Sequence, residues 1–336
     1  MKAVAYRRSL PIEDAESLLD TTLPDPSPAG RDLLVRVRAV SVNPVDTKVR
    51  RNTAPPAGEW KVLGWDAAGT VEAVGPDVTL FRPGDRVWYA GDLTRQGSNA
   101  ELQLVDERLA GPMPESLGYA EAAALPLTAI TAWELLFDRL GVTERTEGRL
   151  LVVGAAGGVG SILVQLARQL TRLTVIGTAS REETEAWVRG LGAHHVIDHR
   201  RPLAEALREA GIDAVSHVAS LTQTDRHYPQ LAEALAPQGR IALIDDPQQP
   251  PDIRLLKRKS GSLHWEFMFT RSMFQTDDMA EQHALLARVS ALVDAGRLRS
   301  TLGAHFGAID ADNLKRAHAH LESGTARGKV VLEGFR

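Results

Sequence analysis

The sequence predicts an α/β fold in two parts, a doubly wound parallel sheet and a smaller β-rich partial barrel. Three observations carry this. The first is the run Leu150-Leu-Val-Val-Gly-Ala-Ala-Gly-Gly-Val-Gly160, followed by Ser161-Ile-Leu-Val-Gln-Leu-Ala-Arg168. It reads as a buried strand, a glycine turn and an amphipathic helix, the context that a dinucleotide-binding turn requires. The second is the alternation of strand and helix patterns from 150 to about 245, which implies parallel strands joined by crossover helices. The third is the stretch from 1 to about 110, where short strand patterns are separated by glycine and proline turns.

In the first part, Lys2–Tyr6, Leu33–Val42, Thr70–Val74 and Arg86–Tyr89 read as strands, with turn signals at Gly75-Pro76 and Pro83-Gly84-Asp85. From Ser116 the pattern turns helical, over Ala120–Ala124 and Ala129–Leu140, with Pro126 between them. Leu150–Val153, Leu173–Gly177, His195–Ile197, Ala214–Val218 and Arg240–Ile244 are the expected parallel strands. Helices are expected over Glu182–Leu191, Leu203–Ala210 and Tyr228–Leu235. After Pro247-Gln-Gln-Pro-Pro251 the alternation is expected to stop. Met279–Ala295 and Asn313–Glu322 read as amphipathic helices, and Gly328–Glu333 as a terminal strand.

The net charge of −4 over 336 residues gives no electrostatic reason to expect nucleic acid or an anionic membrane as partner. The absence of cysteine removes disulfides, thiolate nucleophiles and cysteine-ligated zinc, and fits a reducing compartment. No secretory signal and no membrane-length apolar stretch are read, so a cytoplasmic protein is expected. At the turn, Gly157 and Gly158 lack Cβ, so the backbone at Ala155, Gly157, Gly158 and Val159 can lie against a pyrophosphate, which the helix dipole favours. Gly160 allows close packing of helix on strand.

These motifs carry a resemblance to the medium-chain dehydrogenase/reductase superfamily, together with Ala39-Val-Ser-Val-Asn-Pro-Val-Asp46, Gly64-Trp-Asp-Ala-Ala-Gly-Thr-Val-Glu-Ala-Val-Gly75, Phe81-Arg-Pro-Gly-Asp-Arg-Val87 and Leu125-Pro-Leu-Thr-Ala-Ile-Thr-Ala-Trp133. Within it the chain resembles the quinone oxidoreductase-like branch. It is closer still to bacterial proteins called zinc-type alcohol dehydrogenase-like, which Leu263-His-Trp-Glu-Phe-Met-Phe-Thr-Arg-Ser-Met-Phe-Gln-Thr-Asp277 resembles. The resemblance implies a Rossmann cofactor domain over 125–264, and a GroES-like catalytic domain over 1–124 completed by 265–336. It also implies a homodimer, paired through the edge strand of the nucleotide sheet near Arg240–Ile244. Zinc alcohol dehydrogenases of the superfamily carry a cysteine where Asn43 stands and a histidine where Trp65 stands. His194-His195 and His318 with His320 come without a third ligand, so no metal site is expected.

For the cofactor, the end of the second strand reads Gly177-Thr-Ala-Ser-Arg181. It lacks the carboxylate that would hold a ribose 2′-hydroxyl, and it offers Ser180 and a guanidinium that can pair with a 2′-phosphate. NADP(H) is therefore expected. Related quinone reductases carry lysine where Thr184 stands and tyrosine where His199 stands, so Arg181 bears that load with His199 or Arg200. Ser220 and Asp245 follow later strands, at the carboxyl ends where this fold binds ligands.

At the reacting end the resemblance places Asn43, Asp46 and Lys48 beside the nicotinamide and substrate. Asn43 is expected to donate an amide N–H, Lys48 to act as donor or proton source, and Asp46 to orient Lys48 or the loop. Thr128 resembles the residue that holds the nicotinamide region. Trp65, with Met268, Phe269 and their neighbours Phe267 and Phe274, would form an apolar pocket wall. The expected activity is a zinc-independent, NADPH-dependent reduction of quinones or α,β-unsaturated carbonyl compounds. The alternatives are a non-catalytic NADPH-binding structural or redox-sensing protein and, against the missing ligands, a zinc alcohol dehydrogenase.

Overall fold

Leu150, Leu151, Val152 and Val153 are each at most 1 % exposed, as expected of a strand covered on both faces of a parallel sheet. They belong to a computed structural model that describes residues 1–336. The chain separates into two compact units, Met1–Ile130 with Phe269–Arg336, and Thr131–Met268.

The second unit is built on six parallel strands. Their order across the sheet is His195–Ile197, Arg172–Thr178, Glu147–Val153, Val215–Ser220, Leu235–Leu243 and Ser262–Trp265. The first three strands in the chain run to one side and the last three to the other. The direction therefore reverses between Glu147–Val153 and Val215–Ser220, and this switch point is where a doubly wound sheet opens a crevice for ligand. One face is packed by Leu151, Val153, Ile176, Leu207, Val218, Leu231 and Ile241.

Two expectations are corrected here. The alternation does not stop after 245. A 3₁₀ helix, Ile253–Lys259, leads to a sixth strand, whose Leu263 and Trp265 pair with Ile241 and Leu243. The strand around Arg240 is consequently interior, and the free edge on that side is Ser262–Trp265.

The first unit holds a three-stranded sheet, Leu19–Thr22, Lys2–Tyr6 and Lys61–Val62, and a larger one centred on Asp32–Val42. Every second residue from Leu33 to Val37 is buried, the pattern that one-sided burial of a strand dictates. Its neighbours are Ala67–Val74, Leu102–Asp106 and the C-terminal strand Lys329–Glu333. In that last pairing Val330 faces Val42 and Val331 faces Ser41, which brings Lys329 to the end of the strand that runs into Asn43.

Two helices break near Pro126 as expected, the first being Tyr119–Ala123, but Pro126 belongs to the second. It is the first residue of the helix Pro126–Trp133, a position where its missing N–H costs nothing. One helical run, Tyr119–Arg139, is long and apolar enough to cross a membrane, contrary to expectation. Within its most apolar window 78 % is buried inside the protein, as in a core helix.

Candidate active site

In the second unit, Glu147–Val153 feeds the glycine turn and the helix Gly158–Leu170 follows. Gly154 has a φ of +83°, which a side chain disfavours. A Cβ on Gly160 would lie 2.4 Å from the Gly154 carbonyl oxygen and 2.6 Å from Ala155 Cα, so only glycine lets the helix sit on its strand. Gly157 differs. Its added Cβ would meet nothing closer than 3.5 Å, so the protein's own atoms do not demand glycine there. As the N-cap, Gly157 also offers no side-chain oxygen to the first N–H groups of the helix. Open space and uncapped donors together form an anion cradle, which fits a pyrophosphate. Ala155 is buried, while Gly157, Gly158 and Val159 are half-buried.

At the end of the second strand Ser180 is half-buried, and Arg181 is the exposed N-cap residue of the helix Glu182–Gly190. Thr184 turns back to this cap, its hydroxyl donating to the Arg181 carbonyl at 2.8 Å. Arg200 is tied to Asp198 at 2.6 Å and His199 lies edge-on to His227, with ring centroids 6.1 Å apart. Burial holds both imidazoles below their ordinary pKa, and the Arg226 charge acts on both in the same direction. Arg226, on the helix Thr224–Ala234, is thus a cation near His199 that the sequence reading missed, because it follows a different strand. Ser220 and Asp245, expected either beside a ligand or as turn residues, are bonded to Thr224. Asp245 accepts the Thr224 N–H at 2.9 Å and the Thr224 hydroxyl, and that hydroxyl lies 2.8 Å from Ser220 Oγ. Both residues therefore hold the start of a helix.

In the first unit, the Asn-Pro-x-Asp spacing makes a capping box at the helix Pro44–Asn52. Asp46 Oδ2 accepts the Asn43 N–H at 2.7 Å and Oδ1 accepts the Gly64 N–H at 2.9 Å. Asp46 is spent on the loop backbone, the second of the two roles expected of it. Burial pushes its carboxyl up to about 7, against those N–H donors and the Lys329 ammonium. Lys48 lies on the exposed side of this helix.

The Asn43 amide is only 1 % exposed and is engaged on every side. Its Nδ2 donates to Asp66 Oδ2 at 3.2 Å and to the Ser41 carbonyl at 3.4 Å, while its Oδ1 accepts from Lys329 Nζ at 2.7 Å. The expected free donor at Asn43 is thus turned inward. Asp66 is the hub of the cluster. Lys329 Nζ reaches its Oδ2 at 2.7 Å, Ser41 Oγ donates to the same oxygen at 3.0 Å, and the Leu127 N–H donates to Oδ1 at 3.1 Å. Burial pushes the Asp66 carboxyl up, opposed first by the Lys329 ammonium. Removing one partner of such a buried pair costs about 3–5 kcal/mol, because the other charge is left uncompensated.

Thr128 follows Leu127 directly. It is buried, and its hydroxyl donates to the Leu125 carbonyl at 3.1 Å. Trp65 is buried edge-to-face on Phe269 with centroids 6.5 Å apart, and its indole N–H donates to the Asp92 carbonyl at 3.0 Å. Of the expected pocket wall, Met268 and Phe269 are buried, whereas Phe267 and Phe274 are exposed. A cavity of about 450 Å³ elsewhere in this unit, lined by Leu23, Trp60, Val62, Leu102 and Gln103 among others, includes none of these residues.

The donors do not fit a zinc ion. No three His, Cys, Asp or Glu side chains converge on one point, and the oxygens of Asn43 and Asp66 already share an ammonium. Lys329 and Asp66 were both missed in the sequence. Asp66 sits inside a quoted motif and could have been found, but Lys329 stands 286 residues from Asn43 with no local signal.

Residues 29–132 match the alcohol dehydrogenase GroES-like domain, and residues 191–332 match a family described as zinc-binding dehydrogenase. A zinc-type alcohol dehydrogenase-like protein of Staphylococcus aureus is 40 % identical over 99 % of both chains. A quinone oxidoreductase of Lama guanicoe is 30 % identical, covering 91 % of this chain and 90 % of its own. Among solved structures, a Rhizobium etli protein described as a zinc-dependent alcohol dehydrogenase superposes with a TM-score of 0.96 at 61 % identity, over 100 % of this chain and 98 % of its own. A mycobacterial protein solved with NADPH superposes with a TM-score of 0.83 at 28 % identity, over 99 % and 100 %. With the six-stranded parallel sheet, its glycine turn and the GroES-like unit, these matches show that the chain belongs to the medium-chain dehydrogenase/reductase superfamily, a superfamily of oxidoreductases.

Proposed function

We propose that this protein is a zinc-independent reductase that uses NADPH to reduce quinones or α,β-unsaturated carbonyl compounds in the cytoplasm. The observation that carries the reading is the second-strand end Gly177–Arg181, which has no carboxylate and stands with Arg181, beyond the glycine turn at the switch point. A carboxylate there would repel a 2′-phosphate, and a guanidinium pairs with it. Arg226 and His199 add donors from neighbouring segments. The quinone oxidoreductase among the relatives and the neighbour solved with NADPH support the same class.

When bound, NADPH supplies the hydride, two electrons and one proton, to a ring or β-carbon, and the substrate oxygen gains the second proton. The turn at Gly157 and Gly158 holds the pyrophosphate. Lys48, exposed on its helix, is the proposed proton source, with solvent as the alternative donor. The Asn43 and Asp46 loop of the first unit has its polar groups engaged within that unit and supplies no free donor.

The test is NADPH oxidation by the metal-stripped protein against a panel of quinones and enones, with NADH as comparison. Turnover selective for NADPH is expected. Replacing Arg181 and Arg226 by alanine should lower kcat/KM for NADPH roughly tenfold or more, with little effect on NADH, since each lost charge-assisted pair is worth about 1.5–3 kcal/mol. Lys48→Met should lose turnover while still binding NADPH. Binding without turnover on any acceptor would instead favour a non-catalytic NADPH-binding protein.

A further inference from the structure

We propose that the cavity of about 450 Å³ in the first unit is a second binding site, which takes a neutral aromatic molecule carrying one O–H or N–H donor, with Gln103 Oε1 as the acceptor. The proposal goes beyond the reductase reading and stands apart from it, because none of the residues used in that reading line the cavity.

Three features support it. The first is the wall. The volume falls within the range of small-molecule pockets, about 300–1,000 Å³, and Leu23, Trp60, Val62, Leu102 and Leu104 line it. Val62 is buried against Ala3, Ala5 and Ala100, whereas Leu23 and Trp60 pack on that cluster and stay half-buried, as does Leu104. Apolar surface left open around a concave space is stabilised when an apolar body covers it. The Arg7 guanidinium lies 4.0 Å from the Trp60 ring centroid and holds the indole in place, and a fixed ring suits a second aromatic ring. The second feature is an acceptor without a donor. Gln103 is 4 % exposed, and its Nε2 donates to the Gln96 carbonyl at 3.1 Å. A carbonyl oxygen only accepts, so this contact fixes the NH₂ end of the amide and leaves Oε1 at the other end, where no group of the protein meets it. Gln96, the other amide in the lining, has both ends in use: its Oε1 accepts the Val62 N–H at 2.7 Å and its Nε2 donates to the Trp60 carbonyl at 3.0 Å. Gln103 Oε1 is therefore the atom that calls for a donor from outside the chain. The third feature is charge. The Arg95 guanidinium in the lining is held by Asp32 at 2.7 Å and Glu59 is exposed, so the wall selects for a neutral ligand.

The test is calorimetric titration of the full chain with 2-naphthol, an aromatic body with one hydroxyl, and with 2-methoxynaphthalene, which has the same rings and no donor. Naphthol should bind the wild type roughly fivefold more tightly than its methyl ether, the scale of one hydrogen bond between neutral groups. Gln103→Met keeps the length of the side chain and removes the acceptor, so the two probes should then bind equally. Leu23→Trp adds bulk at the wall and should lower the stoichiometry by one naphthol per chain.

Should Leu23→Trp fail to fold, Gln103→Met decides the question alone, since it introduces no bulk. Equal affinity of the two probes for wild type, or a preference for naphthol that persists in Gln103→Met, overturns the proposal. An unchanged stoichiometry in a folded Leu23→Trp protein places the naphthol elsewhere and overturns it too. No naphthol binding at all would mean that water alone meets Gln103 Oε1, and the site falls. None of these readouts uses turnover, so a protein that reduces no acceptor loses the reductase reading and leaves this one standing.

Discussion

Asp46 shows how far burial alone can move a single residue. Its folded pKa of about 7 lies above the ordinary value near 3.9, so the folded protein binds this proton more tightly than the unfolded chain does. The stabilisation from this group is complete below about pH 4 and is lost as the pH rises through 7, by at most about 4 kcal/mol. Asp46→Asn cannot ionise, and it still accepts one of the two backbone N–H groups. Its thermal midpoint should fall furthest below wild type near pH 4, and the gap should narrow steadily to about pH 7. A gap that widens with pH would mean that the carboxylate is ionised throughout and held by the Asn43 and Gly64 N–H groups. Asp46 was singled out by resemblance, and the capping box it forms has a fixed local spacing that the sequence carries. The direction of the Asn43 amide was not legible, since it is set by an ammonium from the far end of the chain.

At the scale of elements, Glu134–Arg139 winds as a π-helical segment, with the Leu140 N–H reaching the Leu135 carbonyl at 2.9 Å. Nothing in Glu134-Leu-Leu-Phe-Asp-Arg139 distinguishes this from an α-helix, because both use the same helix formers and differ only in ring closure. The helix itself was read correctly; its winding was not. The segment carries Glu134 toward Glu266, both almost fully buried, with Arg139 Nε 2.9 Å from Glu266 Oε2. Two buried carboxyl groups facing one guanidinium retain a proton. Burial, and then the Glu134 charge, push Glu266 up to about 9. Its contribution is present below the usual glutamate range and disappears as the pH climbs through 9. Glu266→Gln keeps an N–H donor where the protonated acid had its O–H. The variant should melt within about 1 kcal/mol of wild type near pH 4, the scale of one hydrogen bond, and increasingly above it as the pH rises to 9.5. Parallel pH dependence in the two proteins would show that the pair does not share a proton.

At the scale of the molecule, the βα alternation was enough to imply a parallel sheet, and the glycine turn marks the strand next to which its order reverses. The last strand of that sheet escaped notice because Ser262-Leu-His-Trp265 is short, mixed in polarity and preceded by a 3₁₀ turn instead of an amphipathic helix. That omission moves the expected dimer contact. Arg240 to Leu243 are paired on both sides, so they cannot accept a second chain. Ser262–Trp265 is paired on one side only, and beside it Trp265 is 52 % and Phe267 48 % exposed. An unpaired edge next to exposed aromatic side chains is the kind of surface that a second copy covers, through backbone pairing and apolar burial together. Wild type should therefore elute at twice its monomer mass in light-scattering chromatography. Trp265→Lys combined with Phe267→Lys places charges on that edge, which resists pairing, and should give a monomer that still binds NADPH, since neither residue belongs to the glycine turn. A wild-type monomer, or a charged variant that stays dimeric, would mean that this edge is not where two copies meet.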